Sequence, residues 1–291
     1  MAKEGLVRVS LVQQSPRLGS VEHNLARTAE LLAEEAALGQ HLVVFPELNL
    51  CGYFLKDLVP ETAIRIDGPE LAELARAAGS ATAVVGAVLE SRDHLFFNAA
   101  VVVGSEGVLH VHRKVYLPTY GMFDEQRYLA PGSAISTVDL SLGEGERWRV
   151  GVLVCEDLWH PSAAYLMSRR AVDLIICPSA SPGRGIQGRE SQLGTASVWG
   201  AMSTTYAALF TAFVAYCNRV GFEDGHYFWG GSQVHGPDGT LLSGPADDQP
   251  GVHRLELDRG LLRWARIAYP LLRDERPDLL LRQLLEEQAD V

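Results

Sequence analysis

The chain has 291 residues, of which 47% are hydrophobic and 21% are charged, and its formal net charge is −11. This composition is ordinary for a globular enzyme. The acidity argues against nucleic-acid binding, because neutralising phosphates needs a basic surface. No run approaches the roughly 18 uninterrupted apolar residues that a membrane helix needs, so we expect no membrane partner either.

Apolar, β-branched runs recur along the chain and predict strands. The predicted strands are Leu6–Val12, Leu42–Phe45, Thr82–Leu89, Ala99–Val103, Val108–Val111, Val150–Cys155, Leu174–Cys177, Ala212–Tyr216 and Val252–Leu257. Segments 104–107 and 233–240 contain the glycines that are typical of hairpin turns.

Helical patterns lie between several of these strands. Ser20 is placed to cap a first helix that ends near Gly39, and prolines suit the first turns of two more. The predicted helices begin at Ser20, Pro69 and Pro161 and cover Glu190–Ala208 and Leu279–Gln288. Strand–helix–strand alternation followed by hairpins predicts an α/β fold with a mixed sheet and helices on its faces. No linker or repeat divides the chain, so we expect one domain over residues 1–291, with residues 270–291 as a C-terminal helical tail.

The four cysteines are widely spaced and form no CxxC pair and no zinc-type cluster with histidine. We therefore expect free thiols and no zinc site. The N-terminus lacks the positive and apolar regions of a signal peptide. These features predict a cytoplasmic protein, because free thiols persist in a reducing compartment. Cys51, Cys177 and Cys217 are expected to be small buried hydrophobic side chains.

Cys155 ends the predicted strand that begins at Val150, and Glu156 and Asp157 follow it directly. Strand ends are where catalytic groups are typically placed, and a thiolate is a strong nucleophile. Alone, Cys155 is equally compatible with a small hydrophobic residue at a strand end.

Two other segments favour the catalytic interpretation. Amide-type C–N hydrolysis needs a nucleophile, a base that takes and returns its proton, and a donor for the developing oxyanion. Cys155, Glu47 and Lys114 supply one each, and each lies at the end of a strand-like run. We therefore expect the three to meet at one edge of the sheet, where the Lys114 ammonium favours the thiolate form of Cys155.

Three motifs resemble those of the nitrilase superfamily of carbon–nitrogen hydrolases. They are Phe45-Pro46-Glu47-Leu48 with Gly52-Tyr53, His112-Arg113-Lys114-Val115-Tyr116-Leu117-Pro118, and Val154-Cys155-Glu156-Asp157. The order Glu, Lys, Cys and the intervals also fit, and the resemblance runs from about Leu6 to Leu257. It implies an α-β-β-α sandwich of two mixed sheets flanked by helices, which stacks on dimerisation. We therefore expect a homodimer or a higher homo-oligomer.

The resemblance also implies a role for each matching residue. Cys155 is the nucleophile that forms a thioester, Glu47 is the general base and acid, and Lys114 stabilises the tetrahedral intermediate. Glu125 matches the family's second glutamate, which positions the lysine and the substrate. The backbone N–H of Glu156 is expected to contribute to the oxyanion hole.

The segment Cys155–Trp159 is similar to the nucleophile motif of the glutaminase domains attached to glutamine-dependent NAD synthetases. The segment Lys114–Tyr120 is similar to their lysine motif, and Tyr120 then matches a tyrosine that lines the glutamine site. The sequence departs from that pattern in having no Ser-Gly-Gly-x-Asp loop, so we expect no attached synthetase that receives ammonia. The other pocket candidates are Tyr53, Phe123, Glu156, Trp159 and Ser181, with Arg184 or Arg189 as partners for a substrate carboxylate.

These observations predict a thiol-dependent amidase that converts a small carboxamide to carboxylate and ammonia without a metal or organic cofactor, with a glutamine-like amide as the first candidate. An N-carbamoyl-amine hydrolase and a nitrilase remain open within the family. Gly183–Gly188 satisfies the GxGxxG pattern of dinucleotide binding, but Ser179–Pro182 separates it from the preceding strand. A Cys/His hydrolase with His112 or His160 as base is a further alternative. The last is a non-enzymatic interaction module that kept the fold.

Overall fold

The computed structural model describes residues 5–143, 145–183 and 194–289. In these residues a first sheet of six strands has the order β14-β1-β2-β3-β4-β5. Strands β1, β2 and β3 are parallel to one another, and the other pairs are antiparallel. The strands are β1 (Leu6–Gln13), β2 (Leu42–Val44), β3 (Thr82–Glu90), β4 (Phe96–Gly104), β5 (Gly107–Arg113) and β14 (Gly251–Asp258).

A second mixed sheet, again of six strands within the described ranges, has the order β13-β12-β9-β8-β7-β6. Its central strands β7, β8 and β9 are parallel. The strands are β6 (Thr137–Leu142), β7 (Glu146–Val152), β8 (Leu174–Ser179), β9 (Phe213–Asn218), β12 (Gln233–His235) and β13 (Leu241–Ser243). A separate hairpin is formed by β10 (Val220–Glu223) and β11 (His226–Trp229).

Helices flank the two sheets. They are α1 (Val21–Ala37), α2 (Val59–Thr62), α3 (Pro69–Ala78), α4 (Glu125–Tyr128), α5 (Pro161–Ser168), α6 (Gly194–Phe210), α7 (Arg259–Ala268), α8 (Leu271–Asp274) and α9 (Pro277–Ala289). Among the residues that the structure describes, none of the helices has both the length and the apolar character required to cross a bilayer.

The alternation of side chains along the strands gives each sheet two apolar faces. In β2, Leu42 and Val44 belong to a core cluster that also contains Trp148 and Ile176 of the second sheet. The intervening Val43 packs instead in a cluster with residues of α1 and α3. The two sheets therefore lie face to face between layers of helices, and the α-β-β-α sandwich expected from the resemblance is confirmed.

The predicted elements are largely confirmed. Each predicted strand occurs, and the two predicted hairpins are β4–β5 and β12–β13. The predicted helices are α1, α3, α5, α6 and α9, although residues 190–193 of the fourth lie outside the described residues. The sequence analysis missed β6, β10, β11 and the helices α2, α4, α7 and α8. Of these, β10, β11, α2, α4 and α8 have four residues each. The alternating Val138, Leu140 and Leu142 of β6 and the amphipathic sequence of α7 were signals that the analysis did not use.

One prediction about Cys155 is wrong in detail. β7 ends at Val152, and Cys155 begins a 3-10 turn that extends to Trp159. The intervening Leu153 and Val154 are buried in the core without belonging to the strand. Their apolar character marks burial, which the sequence pattern does not distinguish from strand structure.

Candidate active site

Glu47 lies in the turn that follows β2. This turn packs so closely on β3 that a Cβ on Gly86 would lie 2.3 Å from the Leu48 nitrogen and 2.5 Å from the Pro46 oxygen. Only glycine fits at that position of the strand. Glu47 is buried, and its Oε2 accepts a hydrogen bond from the Ala180 N–H at 2.8 Å. The carboxylate of the first sheet is thereby fixed against a segment of the second.

Lys114 follows β5 directly, and its ammonium lies between two carboxylates. Its Nζ donates to Glu47 Oε1 at 2.7 Å and to Glu125 Oε1 at 2.6 Å. Burial lowers the pKa of Lys114, but the charges of Glu125 and Glu47 outweigh burial and hold that pKa well above its usual value. The site therefore contains a buried, permanently charged ammonium at neutral pH.

Glu125 is the first residue of α4 and is also buried. Burial raises its pKa to about 7, while Lys114 lowers the pKa and the like charge of Glu47 raises it further. The protonation state of Glu125 therefore changes near neutral pH, whereas Lys114 stays protonated there.

Asn98 of β4 is a site residue that the sequence analysis missed. Its Nδ2 donates to Glu47 Oε1 at 2.7 Å and lies 3.5 Å from Glu125 Oε2. It therefore contacts both of the carboxylates that bind Lys114. A signal was present, because Asn98 is a single polar residue within the apolar run of β4, and a buried amide needs partners.

Cys155 has a φ of 46°, in the left-handed region that side chains other than glycine rarely adopt. Such a conformation costs about 1–3 kcal/mol and persists only where the surrounding structure enforces it. The side chain is 8% exposed, and its Sγ accepts a hydrogen bond from Ser179 Oγ at 3.1 Å. The strained turn thus fixes the direction of the thiol.

The thiol lies close enough to Glu47 and Lys114 for both charges to shift its pKa. Burial and the Glu47 carboxylate raise the pKa of Cys155 well above its usual value, and the opposing effect of Lys114 is smaller. Lys114 favours the thiolate, as expected from its charge, but burial and Glu47 outweigh it. The structure nevertheless brings the three predicted side chains together.

Asp157 connects the turn of Cys155 to the segment of Lys114. Its Oδ1 accepts hydrogen bonds from the backbone N–H groups of Val115 and Tyr116, each at 2.9 Å. Its Oδ2 accepts the Val154 N–H at 3.0 Å and lies 2.7 Å from His112 Nε2. Asp157 and His112 are both buried, so this carboxylate joins the two motifs from inside the protein.

An aromatic wall extends from Glu125 toward the surface. The Tyr53 hydroxyl donates to Glu125, and the rings of Tyr53 and Phe123 meet edge to face at 6.1 Å. The rings of Phe123 and Tyr120 meet in the same way at 5.5 Å. The exposed Tyr120 donates its hydroxyl to Glu156 Oε2 at 2.9 Å. The wall therefore ends in a carboxylate one residue beyond Cys155.

The remaining pocket candidates lie on the second sheet's side. Trp159 is 37% exposed and meets Trp199 edge to face at 5.6 Å. The Trp199 indole donates to Ser181 Oγ at 2.8 Å. Ser181 is buried, and its backbone N–H donates to Asn218 Oδ1 at 2.8 Å. Arg184 and Arg189 lie outside the described residues.

The histidines proposed as bases for a Cys/His hydrolase have other contacts. His112 pairs with Asp157, and the ring of His160 stacks on Tyr116 at 3.6 Å. The GxGxxG pattern at Gly183–Gly188 lies outside the described residues apart from its first glycine. Within the described ranges, no group of three His, Cys, Asp or Glu side chains has the arrangement of a metal site.

The other three cysteines are fully buried, as predicted. Cys51 and Cys217 donate to backbone carbonyls, Cys51 to that of Leu48 at 3.7 Å and Cys217 to that of Val44 at 3.3 Å. Burial raises the pKa of Cys51 to about 12, which keeps it an unreactive thiol.

Comparison with known proteins agrees with this geometry. The sequence model of the carbon-nitrogen hydrolase family matches residues 8–267. The glutamine-dependent NAD(+) synthetase of Thermotoga maritima is 34% identical over 240 residues, which are 81% of this chain and 39% of that protein. An (R)-stereoselective amidase from a Pseudomonas species is 30% identical over 93% of this chain and 92% of its own length. The crystal structure of an amidase from Nesterenkonia superposes with a TM-score of 0.77 at 25% identity, covering 95% of this chain and 96% of that one.

The chain thus spans less than half the length of the NAD synthetases that it matches, but nearly the whole length of the amidase relative. The family model covers Glu47, Lys114 and Cys155. The chain belongs to the carbon-nitrogen hydrolase family, whose fold is that of the nitrilase superfamily.

Proposed function

We propose that the chain is an amidase that hydrolyses a small carboxamide to carboxylate and ammonia through a thioester on Cys155. One observation carries this proposal: the thiol of Cys155, on a strained backbone turn, lies close to the Glu47 carboxylate. That carboxylate in turn accepts a hydrogen bond from the buried Lys114 ammonium. This combination supplies a nucleophile, a proton acceptor and a cation within one site, without a further group.

In the first half-reaction, Glu47 accepts the proton of the Cys155 thiol as sulfur attacks the amide carbon. Burial and the Glu47 carboxylate raise the pKa of Cys155, so the thiol needs a base that takes its proton. The carbonyl oxygen becomes an oxyanion that the Lys114 ammonium and the backbone N–H of Glu156 stabilise. The C–N bond then breaks, the leaving nitrogen takes the proton from Glu47, and ammonia departs.

In the second half-reaction, a water molecule attacks the thioester carbon while Glu47 accepts a proton from that water. The C–S bond breaks as the tetrahedral intermediate collapses, and the sulfur takes the proton back from Glu47. The carboxylic acid leaves with the second proton of the water and gives that proton up in solution, where ammonia takes it, and Cys155 is again a thiol. Glu125 remains bound to Lys114 throughout and holds the ammonium toward the oxyanion.

The wall that ends in Glu156 supports a substrate with a positive charge remote from its amide. Glu156 is mostly buried, with 13% of its side chain exposed, and His160 Nε2 lies 3.9 Å from its Oε1. A hydrogen bond from an ammonium to a carboxylate is charge-assisted and is roughly twice as strong as a neutral one. An ω-amide with an α-ammonium, such as glutamine, has these two groups, and several relatives are named as glutamine-dependent.

Ammonia release across a panel of compounds tests this function. The panel contains L-glutamine, glutaramate (the same amide and carboxylate without the ammonium), an N-carbamoyl amine and an aliphatic nitrile. We expect the highest kcat/KM for glutamine, about tenfold or more above glutaramate, because a charge-assisted hydrogen bond contributes at this level. Faster turnover of the carbamoyl amine or the nitrile would replace the amide assignment with one of those two.

The variant Glu156→Gln tests the recognition of the ammonium. It should remove the preference for glutamine over glutaramate while leaving the turnover of glutaramate nearly unchanged. Tyr120→Phe is the matched control, because it removes a hydrogen bond to the same carboxylate without removing the charge. An unchanged preference in Glu156→Gln would contradict the proposed substrate class and leave the amidase assignment standing.

We also propose that the protein works in the cytoplasm as a homodimer or a higher oligomer, as one catalytic domain with residues 270–291 as a tail. The four free cysteines suit a reducing compartment. The leucines of α9 are between 42% and 60% exposed in the single chain, which favours a partner surface. Sedimentation at micromolar concentration should show at least a dimer, and a monomer would contradict this proposal.

A further inference from the structure

A second buried ion pair lies outside the site described above. Arg219 follows β9 directly and is fully buried, with its guanidinium carbon 4.1 Å from the centroid of the Phe228 ring. Its Nη1 donates to Glu223 Oε2 at 2.6 Å. Its Nε and Nη2 have no hydrogen-bond partner in the described part of the chain. A buried charge with unused donors is costly, so its presence calls for a role beyond stability.

The second oxygen of Glu223 binds the loop that carries Tyr53. Glu223 Oε1 accepts hydrogen bonds from the backbone N–H groups of Tyr53 and Phe54, each at 2.8 Å. The preceding Gly52 has a φ of 83°, and a Cβ there would lie 2.8 Å from Glu223 Oε2. The sequence therefore leaves room at Gly52 for this carboxylate to reach the loop.

Tyr53 extends these contacts into the site. Its backbone is bound by Glu223, and its hydroxyl donates to Glu125, which in turn accepts a hydrogen bond from Lys114. Burial and the charge of Glu125 raise the pKa of Tyr53 well above its usual value. The phenol therefore stays protonated and remains a donor to Glu125. A continuous series of contacts runs from Arg219 to Lys114.

We propose that Arg219 and Glu223 are positioning residues for the reaction: they fix the loop of Tyr53 so that its hydroxyl holds Glu125 against Lys114. The proposal rests on the proposed function for its activity readout. Arg219 and Glu223 reach the loop from the segment that follows β9 of the second sheet. Tyr53 and Glu125 belong to the half that carries Lys114. The pair therefore sets the position of the ammonium relative to the thiol.

A pair of isosteric substitutions at adjacent positions tests this role. Glu223→Gln removes the buried charge, and Asp224→Asn removes the charge of the neighbouring residue, which forms an exposed salt bridge with Lys56 at 2.9 Å. Both residues bind the loop of Tyr53, Glu223 through the backbone N–H groups of Tyr53 and Phe54 and Asp224 through Lys56. We expect Glu223→Gln to lower kcat/KM about tenfold, in the range of losses for residues that orient a site. Asp224→Asn should leave kcat/KM unchanged, because exposed ion pairs contribute little.

A double-mutant comparison with Tyr53→Phe separates positioning from general destabilisation. If Glu223 acts through Tyr53, the double variant should have the kcat/KM of Tyr53→Phe alone. The acid limb of the pH profile should also move to higher pH in both single variants, because the Tyr53 hydrogen bond lowers the pKa of Glu125. Multiplicative losses together with an unmoved limb would overturn the proposal.

The rate of Cys155 alkylation by iodoacetamide provides a readout that needs no substrate. Lys114 lowers the pKa of Cys155, so a displaced ammonium should slow alkylation several-fold in Glu223→Gln and Tyr53→Phe but not in Asp224→Asn. This pattern in a protein that turns over no amide would retain the positioning role and reject the proposed function. Equal alkylation rates in all variants would reject the positioning role.

Arg219→Lys serves where Glu223→Gln fails to fold. Lysine keeps the positive charge but lacks the planar fork that fits Glu223 and stacks on Phe228. We expect kcat/KM and the rate of Cys155 alkylation both to fall in Arg219→Lys, but by less than in Glu223→Gln. Wild-type values for both quantities in a folded Arg219→Lys protein would contradict the proposal.

Discussion

The two halves of the sandwich contribute different chemistry to the site. The first-sheet half supplies Glu47, Lys114 and Glu125, whose charges are already paired with one another before any substrate is present. The second-sheet half supplies Cys155, which is strained in its backbone and uncharged in its side chain. The charged groups therefore belong to one half and the reactive thiol to the other. Substitutions in the first half should affect both activity and stability, whereas loss of the thiol should affect activity alone.

The largest expected effect is the loss of the thiol. Cys155→Ala should lower amide turnover by at least about 10⁴-fold, because the covalent route is then closed. Its free energy of unfolding should stay close to that of the wild type, since no charge loses a partner. Denaturant unfolding and ammonia release measure the two quantities. Substantial turnover in this variant would remove Cys155 from the reaction.

Lys114→Met should lose both activity and stability, which sharpens the contrast with Cys155→Ala. We expect kcat to fall about 10²–10³-fold, as when one donor to an oxyanion is removed. The free energy of unfolding should fall by about 3–5 kcal/mol, because Glu47 and Glu125 are left buried without a cation. A variant with wild-type stability would contradict the view that the charges of this half support one another.

Asp157→Asn tests the contact between the halves. The amide keeps the shape of the side chain but weakens the acceptor for the Val115, Tyr116 and Val154 N–H groups. We expect kcat to fall about 10–100-fold with little change in KM, because the residue orients the site without touching substrate. Equal changes in kcat and KM, or none, would show that the two motifs hold their positions independently.

The smallest effect concerns pH. The pKa of Glu125, raised by burial to about 7, predicts that kcat/KM falls as pH drops below about 7, because protonation removes a negative partner of Lys114. The free energy of unfolding should change with pH in the opposite direction. Because folding raises the pKa of Glu125 from 4.5 to about 7, its contribution to stability is fully present below pH 4.5 and is lost as pH rises through 7. Glu125→Gln should abolish both trends, and a profile with its limb retained would assign that limb to another group.

Much of this arrangement was predictable, because the position of each catalytic residue depends on the strand that directly precedes it in the sequence. Glu47, Lys114 and Cys155 each follow a strand-like run, and β2, β5 and β7 indeed precede them in order. The turn at Cys155 was not predictable, because Leu153 and Val154 are as apolar as the strand and only the tertiary structure ends β7 before them.

The contacts that support the site were also missed, for a different reason. Asn98 and Ser179 bind Glu47 and Cys155, which lie 51 and 24 residues away, so the local sequence does not identify their partners. Arg219 binds the nearby Glu223, but nothing in their sequence shows that the pair is buried. Arg219 was least accessible, since a charged residue after a strand is usually solvated. Only the packing of β10 and β11 over the loop of Tyr53 makes it a buried ion pair.

The most direct test of the central claim is intact-protein mass spectrometry of Glu47→Gln after mixing with the amide substrate. This variant keeps the thiol and the ammonium but lacks the base of both half-reactions. Because water is a much weaker nucleophile than the thiol, the account predicts that hydrolysis of the thioester slows more than its formation, so that an acyl adduct accumulates on Cys155, located by peptide mapping. An adduct on Cys51, Cys177 or Cys217, or rapid hydrolysis with no adduct at all, would contradict a thioester route through Cys155 with Glu47 as its base.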